Sequence, residues 1–262
     1  MKLPNDPFIE SLIPRLDRPG VIGIALTGSY ARGENKQFSD VDVNIFVNVL
    51  PPEPYTLRYW DNHLVSLKYE LIENERLALI RPERAIWAVP GLRQMHILLD
   101  PSGELAALRR SALSFDWLSL QPAANEYTVE ELMGCAEEAH KIMGGLAREH
   151  ESTVLYAVAG LLKGLGNGVA VQRGLMIESE NRYYQIIQKS LGPKHEWTRA
   201  FRLALGADLG PVDVPAYKTR GASALTLYKH TAALFEDLIT NTHRQVIEAT
   251  LEVIQASEYV HG

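Results

Sequence analysis

Along the first half of the chain, apolar positions fall into short runs separated by Gly and Pro clusters. Val21–Leu26 is nearly all apolar, as a strand covered on both faces should be. From Asp40 to Ile45 polar and apolar positions alternate at the start of the apolar run Val41–Leu50, and in a strand residues i and i+2 share a face. Val41, Val43 and Ile45 then face a core, and Asp40 and Asp42 project together on the other side. Between these two strands the small residues Gly28 to Gly33 predict a turn into a short helix. Upstream, Asp6-Pro7 reads as an N-cap followed by proline at the first helical position, with Phe8, Ile9, Leu12 and Ile13 as the apolar stripe. Pro14 should disturb the last turn, and Pro19-Gly20 is a loop.

Downstream, Pro51–Pro54 reads as an extended connector. Asn62–Ile72 then alternates, with Val65, Leu67, Tyr69 and Leu71 on one face and Ser66, Lys68, Glu70 and Ile72 on the other. Pro82–Val89 predicts a short helix and Leu92–Leu99 a strand. A helix follows from Asp100-Pro101 to Trp117, capped by Asp100, with Leu105, Leu108, Ala112 and Phe115 buried. Around Gln121–Asn125 the pattern changes to helices only, which divides the chain into 1–121 and 122–262. Thr128-Val129-Glu130-Glu131 has the form of a capping box. The helix behind it carries Leu132, Cys135, Ala136, Ala139, Ile142, Met143 and Leu146 on one stripe. Thr153–Leu165 is a second helix, which Gly164, Gly166 and Gly168 either terminate or pack tightly. Glu178–Leu191, Glu196–Leu205, Ser223–Ile239 and His243–Ser257 complete a bundle of about six.

Composition narrows the class. With 262 residues, 46% apolar and 22% charged, the chain can bury a sizeable core. Its apolar runs are shorter than the about 18 residues of a membrane span, and Met1–Pro7 lacks the apolar stretch of a leader. The single cysteine, Cys135, excludes an internal disulfide and a Cys-based zinc site. A cytoplasmic protein is therefore expected. The net charge of −6 argues against a nucleic-acid partner and favours a small polycationic one.

The chemistry concentrates at the aspartates. Two neighbouring carboxylates repel unless a cation sits between them, and magnesium takes one or two carboxylates plus substrate phosphates. Gly28-Ser29 after one apolar run, then Asp40-Val41-Asp42-Val43 opening the next, resembles the signature of the DNA polymerase beta-like nucleotidyltransferase superfamily. Gly28-Ser29-Tyr30-Ala31-Arg32-Gly33 with Ser39-Asp40-Val41-Asp42 is similar to its antibiotic-modifying branch.

That resemblance implies an α/β (α+β) catalytic domain with a mixed sheet, followed by an all-α bundle. It implies ATP or another NTP whose triphosphate rests on Gly28 and Ser29, with Arg32 and Ser39 as further phosphate contacts; Ser39 also reads as a turn cap and Arg32 as a surface residue. Two magnesium ions would be held by Asp40, Asp42 and a third acid from a neighbouring strand. Glu70 fits that place and would also be the general base; Glu73 and Glu75 are alternatives. In some relatives a glutamate of the first bundle helix is the base instead, which makes Glu131, Glu137 and Glu138 candidates. Lys163, Arg182, Tyr183, Tyr184, Lys229 and His230 are candidate cleft residues, each with a plain surface or packing reading beside it. The implied reaction moves a nucleoside monophosphate to a hydroxyl of an aminoglycoside-like acceptor. A protein or RNA acceptor, or a silent nucleotide-binding module, are the alternatives, and the oligomeric state stays open.

Overall fold

The computed structural model describes residues 6–210, 214–257 and 259; the stretch Met1–Asn5, read above for a leader, lies outside them. The chain forms two compact units. Unit 1 comprises Met1–Leu120 and Met176–Ser179, and unit 2 comprises Gln121–Leu175 and Glu180–Gly262.

Unit 1 opens with α1 (Pro7–Leu16), whose first turn is capped by Asp6: its carboxylate accepts the Phe8 N–H at 2.9 Å. Pro14 lies inside this helix, which continues to Leu16. Five strands follow: β1 (Val21–Leu26), β2 (Val41–Val47), β3 (Tyr55–Trp60), β4 (His63–Leu71) and β5 (His96–Leu99). They form one sheet in the order β3-β4-β2-β1-β5. It is mixed, since β2 and β4 run parallel while the other neighbours are antiparallel. One face buries Val41, Val43, Ile45, Val65 and Leu67 against Ile9, Leu12 and Leu16 of α1. The other buries Ala25 and Phe46 beneath α4 (Pro82–Gln94) and α5 (Glu104–Leu113), through Leu92, Leu105 and Leu108.

Several expectations are corrected here. The segment after the Pro51–Pro54 connector, for which the pattern predicts no element, is β3, which pairs with β4 across a tight turn in which Asp61 and Asn62 both have positive φ, the geometry of a two-residue hairpin. It escaped the pattern because both its faces are largely exposed, Tyr59 at 72%. The predicted helix 82–89 runs on to Gln94, so the predicted strand 92–99 shrinks to His96–Leu99. Proline in a helix removes the N–H that would reach the carbonyl four residues back. Here the orphaned Ile86 carbonyl accepts the N–H of Ile177 at 2.7 Å instead. The helix after Asp100 starts at Glu104 rather than Pro101. Asp100 still caps it, accepting from the Leu105 and Ala106 N–H groups at 3.2 and 2.9 Å. Phe115 and Trp117 lie beyond its end. Between β4 and α4 the short α3 (Ile72–Ala78) was not anticipated.

Unit 2 is helical throughout its described residues: α6 (Gln121–Ala147), α7 (Glu151–Gln172), α8 (Tyr183–Leu191), α9 (Glu196–Leu205), α10 (Ala216–Leu234) and α11 (Asn241–Ala256). The capping box is not one. Thr128 sits inside α6, fully buried, and its hydroxyl donates to the Gly168 carbonyl at 3.0 Å. The glycines of α7 pack rather than terminate it. A β-carbon on Gly164 would stand 2.5 Å from the Cys135 sulfur, and one on Gly160 would stand 3.2 Å from the Glu138 carboxyl carbon. By length and composition α7 is long and apolar enough to cross a membrane, although the apolar runs of the sequence predict no span. In the fold Val154, Ala157, Val158, Leu161, Leu162, Leu165 and Val169 of this helix are buried within the bundle. Elsewhere in unit 2, Trp197 stacks on Phe201 at 4.9 Å and donates its indole N–H to the Thr231 hydroxyl at 2.8 Å.

Candidate active site

The end of β1 and the start of β2 meet through antiparallel pairing that sets Leu26 opposite Val43. One residue on, the Thr27 N–H donates to the Asp42 carbonyl at 2.9 Å. Thr27 is the N-cap of α2 (Gly28–Arg32), and Gly28 enters it with φ +62°. A β-carbon on Gly28 would lie 2.0 Å from Asp42 Oδ2. The Asp42 carboxylate therefore rests against the glycine α-carbon, in space that only glycine leaves free. Ser29 accepts the Glu34 N–H on its carbonyl at 2.9 Å, while Gly33 closes the turn in the left-handed region. Its hydroxyl has no partner among the described residues. Asp40 and Asp42 are both half-buried.

Other residues expected here are engaged elsewhere. Arg32 bonds Glu34 at 2.9 Å and the Glu178 carbonyl at 3.2 Å. The Ser39 hydroxyl accepts the Lys36 N–H at 2.9 Å, which is the turn-capping role.

Glu70 is a correction. The parallel register pairs Asp42 with Ser66 and Phe46 with Glu70. At about 3.3 Å per residue, Glu70 stands about 13 Å along the sheet from the level of Asp42. It forms an ion pair with Lys68. The β4 position level with Asp42 is held by Ser66, so no third carboxylate joins the aspartates from this strand. Among the described residues no group of three or more His, Cys, Asp or Glu could hold a metal. Two hard oxygen donors nevertheless fit a divalent cation whose remaining ligands are phosphate and water, the usual manner of magnesium. Of the alternatives, Glu73 pairs with Arg76. Glu75 is half-buried, and burial, reinforced by the Glu70 charge, raises its carboxyl above the usual range.

In unit 2, burial likewise raises Glu131. Glu137 and Glu138 share Lys141 at 2.8 and 3.0 Å. Burial pushes the Tyr183 hydroxyl up, and it raises the Cys135 thiol to about 12, the state of an unreactive core thiol. Lys229 donates to Gln255 at 2.8 Å, and His230 lies 3.8 Å from Glu196.

Two contributors went unnoticed in the sequence. Thr27 acts through its backbone, which no side-chain pattern reveals. Asn44 continues the strand face of Asp42, and the two-residue alternation could have found it.

Residues 9–89 match the family described as nucleotidyltransferase domain. No curated protein matches the chain. Among solved structures, the chain is similar to the crystal structure of a nucleotidyltransferase-like protein from Exiguobacterium sibiricum 255-15. The TM-score is 0.51 with 14% identity, covering 95% of this chain and 81% of that one, a likeness of fold. Enzymes of this family work on nucleoside triphosphates with a divalent metal. With the Gly28–Asp42 junction and the mixed sheet inside the matched segment, residues 9–89 are a nucleotidyltransferase domain of the DNA polymerase beta-like superfamily, and that domain supports nucleotidyl transfer in general.

Proposed function

We propose that the chain transfers a nucleoside monophosphate, AMP from ATP in the first instance, to a hydroxyl of a small cationic acceptor of the aminoglycoside type. The observation that supports this is the contact of the Asp42 carboxylate with Gly28, which sets an acidic oxygen beside a glycine-lined turn. Magnesium bound at Asp40 and Asp42 would neutralise triphosphate charge and acidify a coordinated hydroxyl. Gly28 lets a phosphate approach the backbone closely, and the unpartnered Ser29 hydroxyl is available to it. The acceptor oxygen attacks the α-phosphorus as the bond to the pyrophosphate oxygen breaks. The net charge of −6 supports a cationic acceptor rather than a nucleic acid.

A second reading, nucleotide binding without transfer, is favoured by one observation: Ser66 stands level with Asp42 where a third carboxylate would be. Pyrophosphate release separates the two, measured with each NTP and magnesium against aminoglycosides, lincosamides, RNA and proteins. Transfer predicts release with at least one acceptor, and a loss of at least about 100-fold in Asp42→Asn at unchanged circular dichroism. Full activity of Asp42→Asn sinks the assignment. Nucleotide binding with no release across the panel supports the second reading.

A further inference from the structure

On the sheet face that carries Asp42, α3 and α4 stand off from the strands and leave a cavity of about 380 Å³. That is the size of a small-molecule pocket. Asn44 lines it, two residues from Asp42 on the same strand face and so about 7 Å further along. Lys68, level with Asn44 in the parallel register, forms part of its wall, and Thr27 stands at its edge. The cavity thus begins two residues from Asp42, which does not itself line it. Its remaining polar wall is Glu75 from α3 with Glu83 and Arg84 from α4, and Trp87 adds an aromatic surface.

These groups are poorly satisfied by the protein itself. The side chains of Asn44, Glu75, Glu83 and Arg84, all half-buried, make no hydrogen bond or ion pair with the described residues. Half-buried polar groups in that condition are open to water or to a ligand. Lys68 is already neutralised by Glu70. The lining therefore offers two carboxylates against one guanidinium, that of Arg84, whose charge already acts on Glu75. Burial and then the Glu70 charge raise the Glu75 carboxyl despite the opposing Lys68 and Arg84 charges, and an arriving ammonium would offset the Glu70 charge.

Direction of attack adds the last constraint. Displacement at phosphorus is in line, so the incoming oxygen and the departing pyrophosphate lie on opposite sides of the α-phosphorus. With the triphosphate on Gly28 and Ser29, on the β1 side of Asp42, the acceptor enters from the β4 side, where Lys68 and Glu75 stand.

Resting on the transfer reading above, we propose that this cavity is the acceptor pocket and takes a small hydroxyl compound bearing an amine. Its ammonium group sits between Glu75 and Glu83, and a ring packs on Trp87. The nucleotide does not occupy it.

Two sets of variants test this: Ala88→Trp, which fills the cavity from α4, and the double variant Glu75→Gln/Glu83→Gln. Calorimetry measures binding first of a non-hydrolysable ATP analogue with magnesium. It then measures binding of aminoglycosides, their deaminated counterparts, amino sugars and lincosamides to the nucleotide-loaded protein. Ala88→Trp should leave the nucleotide dissociation constant within about twofold and weaken the amine-bearing binders at least about tenfold. The double variant, which keeps the shape of the wall, should erase the preference for amine over deaminated compound. A matching loss of nucleotide affinity in either variant overturns the proposal, because the cavity would then hold the nucleoside. So does the absence of any binder in the panel that responds to the variants. Failure of the transfer reading itself shows differently, as full activity in Asp42→Asn.

Discussion

At Gly28 two separate demands meet. Its φ of +62° lies in the left-handed region, and the space of its missing side chain is filled by the Asp42 carboxylate. Gly28→Ala should therefore cost stability by about 1–3 kcal/mol through backbone strain alone. Displacing Asp42 should cost activity far more than that loss of stability would, and a melting curve beside a pyrophosphate assay separates the two. Glu75 makes a different prediction. Its folded-state carboxyl is raised from 4.5, so the native state holds its proton more tightly than the unfolded chain does. Stability from this group is then fully present below pH 4.5 and is lost as pH rises through the raised value. Glu75→Gln should raise the melting temperature at pH 7, with the gain vanishing below about pH 4. A gain that persists in acid would mean that packing, not charge, produced it. The strand face of Asp42, opposite to that of Val41 and Val43, was legible because alternation within one strand is a local rule. Glu70 was misplaced because its distance from them depends on the pairing of β2 with β4, which the sequence of β4 does not state.

Elements show the same division. The six-residue β1 and the capped start of α1 were readable from apolar runs and from Asp6-Pro7. β3 was not, since an edge strand with both faces exposed carries no hydrophobic period. α4 passes through Pro90 because Ile177, distant in sequence, supplies the N–H that the Ile86 carbonyl lacks. The α6–α7 seam turns on small residues, and Gly164 is its tightest point. Gly164→Ala sets a methyl 2.5 Å from the Cys135 sulfur. It should destabilise by about 1–3 kcal/mol, the usual cost of overpacking. Adding Cys135→Ala should recover part of the loss in a double-mutant cycle, and strictly additive losses would show that the two do not meet. Glycine in the sequence announces only a possible turn or close approach, and the partner helix decides which.

For the whole molecule, the change from strands to helices near Gln121 was visible as a change of period. The return of Met176–Ser179 to unit 1 was not, because a short excursion leaves no trace in periodicity. Net charge bears on the kind of partner to expect and gives no place for it. By itself the sequence determined the two-part architecture, the strand–turn–strand carrying Gly28 and the aspartate pair, and the family these imply. All of these rest on neighbours a few residues apart. Tertiary structure alone decided that Ser66 rather than Glu70 stands level with Asp42, and that Gly28 and Asp42 touch. It also decided that Asn44, Lys68, Glu75 and Arg84 enclose one cavity. Each of these depends on strand register or on helices crossing a sheet, and such distances are set only once the chain has closed on itself.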